Sequence, residues 1–398
     1  MAHERHGRGE IGRHAAPRLL ISVTQPTYAA ARLASDRIHR HLAANSAQCS
    51  VDGAATLPDA ATLAALFDAA FWTSLRREEG YIPRISLAFV GPGQVDDAVA
   101  FSTSLALEPK DLTKIAAAVD RAGLHLGVWP QQNELRVWGI TRNLPPLCVV
   151  LEVLLPGLLV VKQSPSEEPG KFINIAVLQG DEIKIIDPQA AISPAHPTLL
   201  TSILRLESQF AVGSAVNILL QLAVSVRMHG RGGLLLVVPA GSDAWTESIL
   251  QPITYSVVPP FPGLADLMRK DAGNKRSRRW EDALGRVVDE IAGLTAVDGA
   301  TLIDTDYKLL AFGAKILRRI DSPPVAQVTL TEPIEGGSAV IVEPAQFGGT
   351  RHLSAAQFVH DQRDAIALVA SQDGRFTVFA WSPNEEIVHA HRIDALLL

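Results

Sequence analysis

Gly230-Arg231-Gly232-Gly233-Leu234-Leu235-Leu236-Val237-Val238-Pro239 closes one hydrophobic pattern and opens another. Upstream, Leu206, Phe210, Val212, Val216, Leu219, Leu222 and Val226 are apolar along 205–229, a pattern that predicts a long amphipathic helix. The helix should stop at Gly230. Gly232 and Gly233 lead into residues that are apolar without alternation. Such a run suits a strand buried on both faces, as in a sheet covered by helices. Downstream the pattern keeps switching. A helix is predicted over 282–294 and strands over 300–303 and 309–312, with a tight connection at Asp304–Lys308. A strand follows at 337–343, a short helix at 352–361, and strands at 365–370 and 375–381. Interleaved helices and strands predict an α/β fold with a central sheet flanked by helices.

Working back towards the N-terminus, Pro188, Pro194 and Pro197 mark a linker over 188–203. The chain then divides into an N-terminal domain, 20–195, and a C-terminal domain, 205–398. In the first, Leu63, Leu66, Phe67, Ala70, Phe71 and Leu75 give a helix over 59–77 that Asp59 can cap. A second helix is expected over 110–121. Strands are expected at 85–90, 124–129 and 134–140, with two more around 147–161. A hairpin at 172–178 and 182–187 completes a separate α/β or α+β module. Residues 1–20 read as a lead-in.

A length of 398 residues with 47% hydrophobic content suits two domains with real cores. A net charge of −6 gives no overall basic balance of the kind a general nucleic-acid binder needs. The dense positive run Lys275–Arg279 reads as a solvated face or as a phosphate contact. The two cysteines, Cys49 and Cys148, have no partner spacing, which suggests neither a disulfide framework nor a thiolate metal site and fits a reducing cytoplasm. Leu147–Val161 is very apolar but contains Glu152, Pro156 and Gly157 and is too short for a spanning helix. Met1–Arg18 lacks the apolar stretch of a signal peptide. A cytoplasmic protein with no membrane span is therefore expected.

Three short strings carry the candidate chemistry. Asp298-Gly299-Ala300 falls between a helix and an apolar strand. Gly348-Gly349-Thr350-Arg351-His352-Leu353-Ser354-Ala355 falls between a loop and a helix. Ser371-Gln372-Asp373-Gly374 follows the strand at 365–370. Taken singly, each is also an ordinary turn or cap. Together they offer more. Gly349 exposes backbone N–H groups at a helix start, Thr350 and Ser354 add hydroxyls, and Arg351 adds a bidentate fork, a set suited to phosphate. Asp298 and His352 could meet across the sheet end and share a divalent metal, manganese or cobalt somewhat better than magnesium. No Walker loop, dinucleotide fingerprint or Ser-His-Asp arrangement in recognisable context is present.

The order of these parts resembles the diadenylate cyclase (DAC) domain family, with its DGA motif and its RHR motif set in GTRHR. The resemblance covers about 205–385. It implies a DAC-type fold and the condensation of two ATP into cyclic di-AMP with loss of pyrophosphate. Asp298 would bind the catalytic metal (Mn2+, Mg2+ or Co2+) beside the attacking 3′-hydroxyl. Gly299 would allow close approach of the nucleotide, and Ala300 would start the strand behind it. Gly349, Thr350, Arg351 and Ser354 would hold the triphosphate, His352 would ligate metal or phosphate, and Ser371 would contact phosphate. Leu302, Leu309 and Leu310 are candidates for the adenine pocket and equally for the core. Each site holds one ATP, so the resemblance also implies a homodimer or higher homo-oligomer with facing sites. The chain departs from the family at Leu353, in place of the last arginine of RHR, and at Gln372, in place of a carboxylate. A nucleotide-binding regulator that does not turn over is the alternative. The N-terminal domain resembles modules fused to DAC-like domains and taken to be sensors.

Overall fold

The computed structural model describes residues 27–47, 51, 53–164, 172–187, 217–270 and 278–398. The predicted linker, the first half of the 205–229 helix, Cys49 and residues 275–277 of the basic run lie outside them.

Two sheets form two lobes. In the N-lobe eight strands are ordered β2-β4-β3-β1-β5-β6-β7-β8. They are β1 (Ser86–Phe89), β2 (Val99–Ala106), β3 (His125–Gln131), β4 (Glu134–Thr141), β5 (Val149–Leu155), β6 (Leu158–Gln163), β7 (Ile173–Gln179) and β8 (Glu182–Ile185). Only β1 and β3 run parallel; the other neighbours are antiparallel. Helices α1 (Ala29–Ala47), α2 (Ala60–Ser74) and α3 (Pro109–Val119) share one core with this sheet. Asp59 caps α2 by accepting from the Thr62 N–H at 2.7 Å, a contact worth about 1 kcal/mol. Trp138 is buried, its indole N–H donating to the Val90 carbonyl at 2.8 Å.

The C-lobe sheet has nine strands in the order β10-β12-β11-β9-β15-β16-β17-β13-β14. They are β9 (Gly233–Val238), β10 (Tyr255–Phe261), β11 (Ala300–Asp304), β12 (Leu309–Ala314), β13 (Val328–Thr331), β14 (Val340–Val342), β15 (Ile366–Ala370), β16 (Phe376–Ser382) and β17 (Ile387–Arg392). The expected two-faced burial holds: every residue of β9 is buried. Helix α4 (Ile218–Met228) and the long helix α6 (Arg278–Leu294) pack on one face, and α5 (Gly263–Lys270) joins them. Asn217 caps α4 by accepting from the Leu220 N–H. A short α7 (Pro344–Phe347) leads into α8 (Thr350–Asp361), which covers the other face. Both lobes are thus mixed sheets flanked by helices. Among the described residues no helix is long and apolar enough to cross a membrane.

Register places two of the three strings. β9 is parallel to β11, with Leu235 opposite Thr301, and antiparallel to β15, with Gly233 opposite Ala370. The start of β9, the start of β11 and the end of β15 therefore share one end of the sheet. Asp298-Gly299, Gly232 and Ser371-Gln372 all sit there.

Candidate functional site

At that sheet end a hollow of about 200 Å³ is lined by Gly349, Thr350, Arg351, His352, Val369, Ala370, Ser371 and Gln372. The first turn of α8 makes one wall and the end of β15 the other. Gly349 stands at the helix cap position with no side chain to fill it, so the N–H groups of the first turn remain unoccupied by a capping side chain. The positive end of the helix dipole adds to the charge of Arg351.

Gly232 explains how Arg351 fits. A Cβ placed on Gly232 would lie 2.7 Å from Arg351 Nη1 and 3.2 Å from the Ala370 carbonyl oxygen. The backbone there is left-handed, at φ +71°. The guanidinium thus rests against the glycine loop that precedes β9. Gln372 ties the same loop to the far wall, its amide donating to the Arg231 carbonyl at 3.4 Å. A carboxylate at 372 would have no proton for that carbonyl. The departure at Gln372 therefore has a structural use.

Asp298 is fully exposed and pairs with Lys315 at 2.5 Å; the ammonium also reaches the Asp298 carbonyl at 3.3 Å. The Lys315 hydrogen bond and charge, then the charge of Arg351, hold the Asp298 carboxyl below its usual range. Arg351 and Lys315 thus both act on Asp298, whereas sequence spacing gave no sign of Lys315. Gly299, at φ +123°, lets its strand lie against Gly313, whose backbone carbon a Cβ would approach to 2.5 Å. Ala300 is buried at the head of β11.

His352 has different surroundings. It is 4% exposed, its ring edge-on to Phe347 and Phe379, with Nε2 3.4 Å from the Thr377 hydroxyl. Gly348 lies against it so closely that a Cβ would meet the ring carbon at 2.1 Å. Burial pushes the imidazole down to about 4, against the opposing pull of Asp373, so it is neutral at pH 7. Its contacts are with the interior, not with Asp298. Ser354 is half-buried one turn further along α8, outside the hollow's lining, and Leu353 is 42% exposed on the helix surface. Ser371 lines the hollow, and its hydroxyl also bonds to Asp373. Burial raises the Asp373 carboxyl, but that bond and the Arg375 N–H outweigh it and hold the group low. Leu302 and Leu309 are core residues.

The donor set can be weighed against a divalent cation. Among the described residues no three His, Cys, Asp or Glu side chains converge as a metal cage. Asp298 suits an ion of the magnesium type, which one or two carboxylates hold together with substrate phosphates. His352 has an interior position that suits support of the loop better.

A second, larger hollow of about 500 Å³ lies at the opposite sheet end, beyond Val238 and before Ala365. It contains Ser322, His360 and Asp361, but not as a relay. The Ser322 hydroxyl donates directly to Asp361, and both approach the same ring nitrogen of His360. Asp361 also accepts from the Arg319 N–H and the Gln357 amide, each at 2.9 Å. It is an anchor for the 319–325 loop.

A family model described as a probable sensor domain, DACNV, matches residues 52–142, within the N-lobe from just before α2 to β4. No curated protein matches the chain.

Proposed function

We propose that the chain is a diadenylate cyclase: its C-lobe joins two ATP molecules into cyclic di-AMP with release of pyrophosphate, and its N-lobe senses a signal. The observation that carries this reading is the convergence of Gly349, Thr350, Arg351, Ser371 and Gln372 around one hollow, with Arg351 and Lys315 beside Asp298. Helix-start N–H groups, hydroxyls and two cations suit a triphosphate, and a nearby exposed carboxylate suits its divalent ion. Asp298 would hold that ion with the phosphates, and the ion would offset charge as the phosphodiester forms. Arg351 and Lys315 would stabilise the same charge from fixed positions. Ser371 would reach phosphate from the strand end. His352, neutral and interior, would keep the first turn of α8 in place. The match to a probable sensor domain supports the sensing role of the N-lobe.

Two in-line attacks require two facing sites, so the reading includes a homodimer at least during turnover. Leu353, exposed beside the hollow, would stand towards that partner.

The second reading is a regulator that binds ATP or cyclic di-AMP without turnover. Leu353 favours it, since a cation that would offset phosphate charge is lost. Separation of nucleotides by mass after incubation of the full chain with ATP and Mn2+, Mg2+ or Co2+ tests the first reading. Cyclic di-AMP with pyrophosphate is expected. ATP binding with no product in any metal would give the second.

A further inference from the structure

The two lobes are joined by more than a linker. β8 runs on into the C-lobe: Ile186 bridges Ile334, the Asp187 N–H donates to the Pro333 carbonyl at 2.9 Å, and the Glu335 N–H donates to the Ile185 carbonyl at 2.8 Å. Lys184, largely buried, pairs with Glu332 at 2.6 Å. Over β6 to β8, the face of the N-lobe sheet opposite its helices is then covered by residues 394–398. Leu158, Val160, Val177 and Ile186 form one buried cluster with Ala395, flanked by Leu396 and Leu398. Asn174 of β7 fixes this end, its amide donating to the Ala395 carbonyl at 3.1 Å and the Leu398 carbonyl at 2.9 Å.

The segment 394–398 also belongs to the C-lobe. Leu397 is buried in the core under α4 and α6, and Leu396 packs against both cores. The Leu397 carbonyl accepts from Arg227 Nη1 at 3.3 Å, while Arg227 Nε donates to the Gly374 carbonyl at 2.9 Å. Gly374 closes the turn whose N–H donates to the Ser371 carbonyl at 3.1 Å, and Ser371 lines the site hollow. An unbroken series of contacts thus runs from Asn174 through 394–398 and Arg227 to the turn at 371–374.

We propose that residues 394–398 are a strap through which the N-lobe sets the site turn, with Arg227 as the positioning residue between strap and turn. This rests on the reading of the C-lobe hollow as the nucleotide site. The planar fork of Arg227 is what allows one side chain to hold two carbonyls from separate segments; lysine, with a point charge, holds them less well. A shift of β7 moves the strap, and the strap moves Gly374. By reciprocity, a ligand that orders the site turn must tighten the strap on the N-lobe. Coupling carried this way needs a physical element that both ends bias, and residues 394–398 are in contact with both.

Amide hydrogen exchange on the ligand-free full chain tests it. Asn174→Asp removes the donor to the strap without changing shape, and lies in the other lobe from the site. The expected result is exchange at 371–376 faster by about fivefold or more, the low end of typical coupling between sites, with β9 unchanged. Val177→Ala, which thins the apolar contact under Ala395, is a milder variant read the same way should Asn174→Asp fail to fold. Unchanged protection at 371–376 in the folded N-lobe variant overturns the strap. ATP affinity is the second readout: Arg227→Met should weaken it at least about fivefold and Arg227→Lys should recover part. Equal loss in the two Arg227 variants would remove Arg227 from the positioning role. A wild-type chain that binds no ATP would defeat the nucleotide reading, while the exchange result would still decide the strap.

Discussion

Gly232, Arg351, Asp298 and His352 are each held by something the local sequence does not contain. Gly232→Ala would place a methyl 2.7 Å from Arg351 Nη1 on a backbone at φ +71°. We expect a loss of about 1 kcal/mol or more in C-lobe stability, read by thermal melting, and weaker ATP binding as Arg351 is displaced. Asp298→Asn should abolish cyclic di-AMP formation yet leave the melting temperature nearly unchanged, because the carboxylate is exposed and, among the described residues, pairs with Lys315. A variant with full turnover would remove Asp298 from the site. His352 gives a pH signature. Its folded pKa, about 4, lies below the ordinary 6.5, so below pH 6.5 the unfolded chain binds a proton that the folded chain refuses. Stability should therefore fall as pH drops from 6.5 towards 4. His352→Asn should flatten that fall when C-lobe melting is followed against pH. His125, buried against Ser86 and also pushed down to about 4, adds the same sign in the N-lobe. The DGA and GTRH strings were legible because glycine, hydroxyl and charged residues cluster there. Lys315 and Arg227 were not, since their roles come from strand pairing and chain closure between distant segments.

Elements with one strong signal were legible. β9 and β15 are continuous apolar runs, and both are buried along their length in the middle of the sheet. The β5–β6 hairpin was legible for the same reason, with Pro156-Gly157 at its turn. Of the strands that escaped, β2 and β10 are sheet edges and β13 lies next to one, whereas β17, buried inside the sheet after the strand read as the last, was missed because His389, His391 and Arg392 break its apolar run. β2, with Ser102, Thr103 and Ser104, is largely exposed, and β10 carries Pro259 and Pro260 and is exposed along most of its length. Proline in a strand points to an edge, and an edge needs no buried alternation to form. α1 escaped because alanine dominates its buried face, giving a weak pattern. The start of α8 shows what an element contributes to the site. Gly348 has extended backbone, so its role is space for the His352 ring rather than conformational freedom. Gly348→Ala should therefore act by overpacking, with a cost of about 1–3 kcal/mol in C-lobe melting and displaced α8 first-turn amides. A melting temperature within error of wild type would show that the ring can move aside at no cost.

At the scale of the molecule, two mixed sheets share a seam formed by β8, the Ile334 region and the last residues of the chain. Two lobes are present, as the division of the sequence predicts, while the predicted linker lies outside the described residues. The seam was not legible, because hydropathy cannot tell a C-terminal segment packed on its own lobe from one shared with a neighbour. The seam gives the proposed sensing N-lobe a route to the site turn, since its sheet touches the last residues and Arg227 links those residues to Gly374. One assay bears most directly on the chemistry of the C-lobe. The purified full chain is incubated with ATP and Mn2+, Mg2+ or Co2+, beside Asp298→Asn, and the nucleotides are separated by mass. Cyclic di-AMP and pyrophosphate from the wild type, absent from Asp298→Asn, is the predicted result. No cyclic di-AMP with any of the three metals, or the same yield from Asp298→Asn, would contradict it.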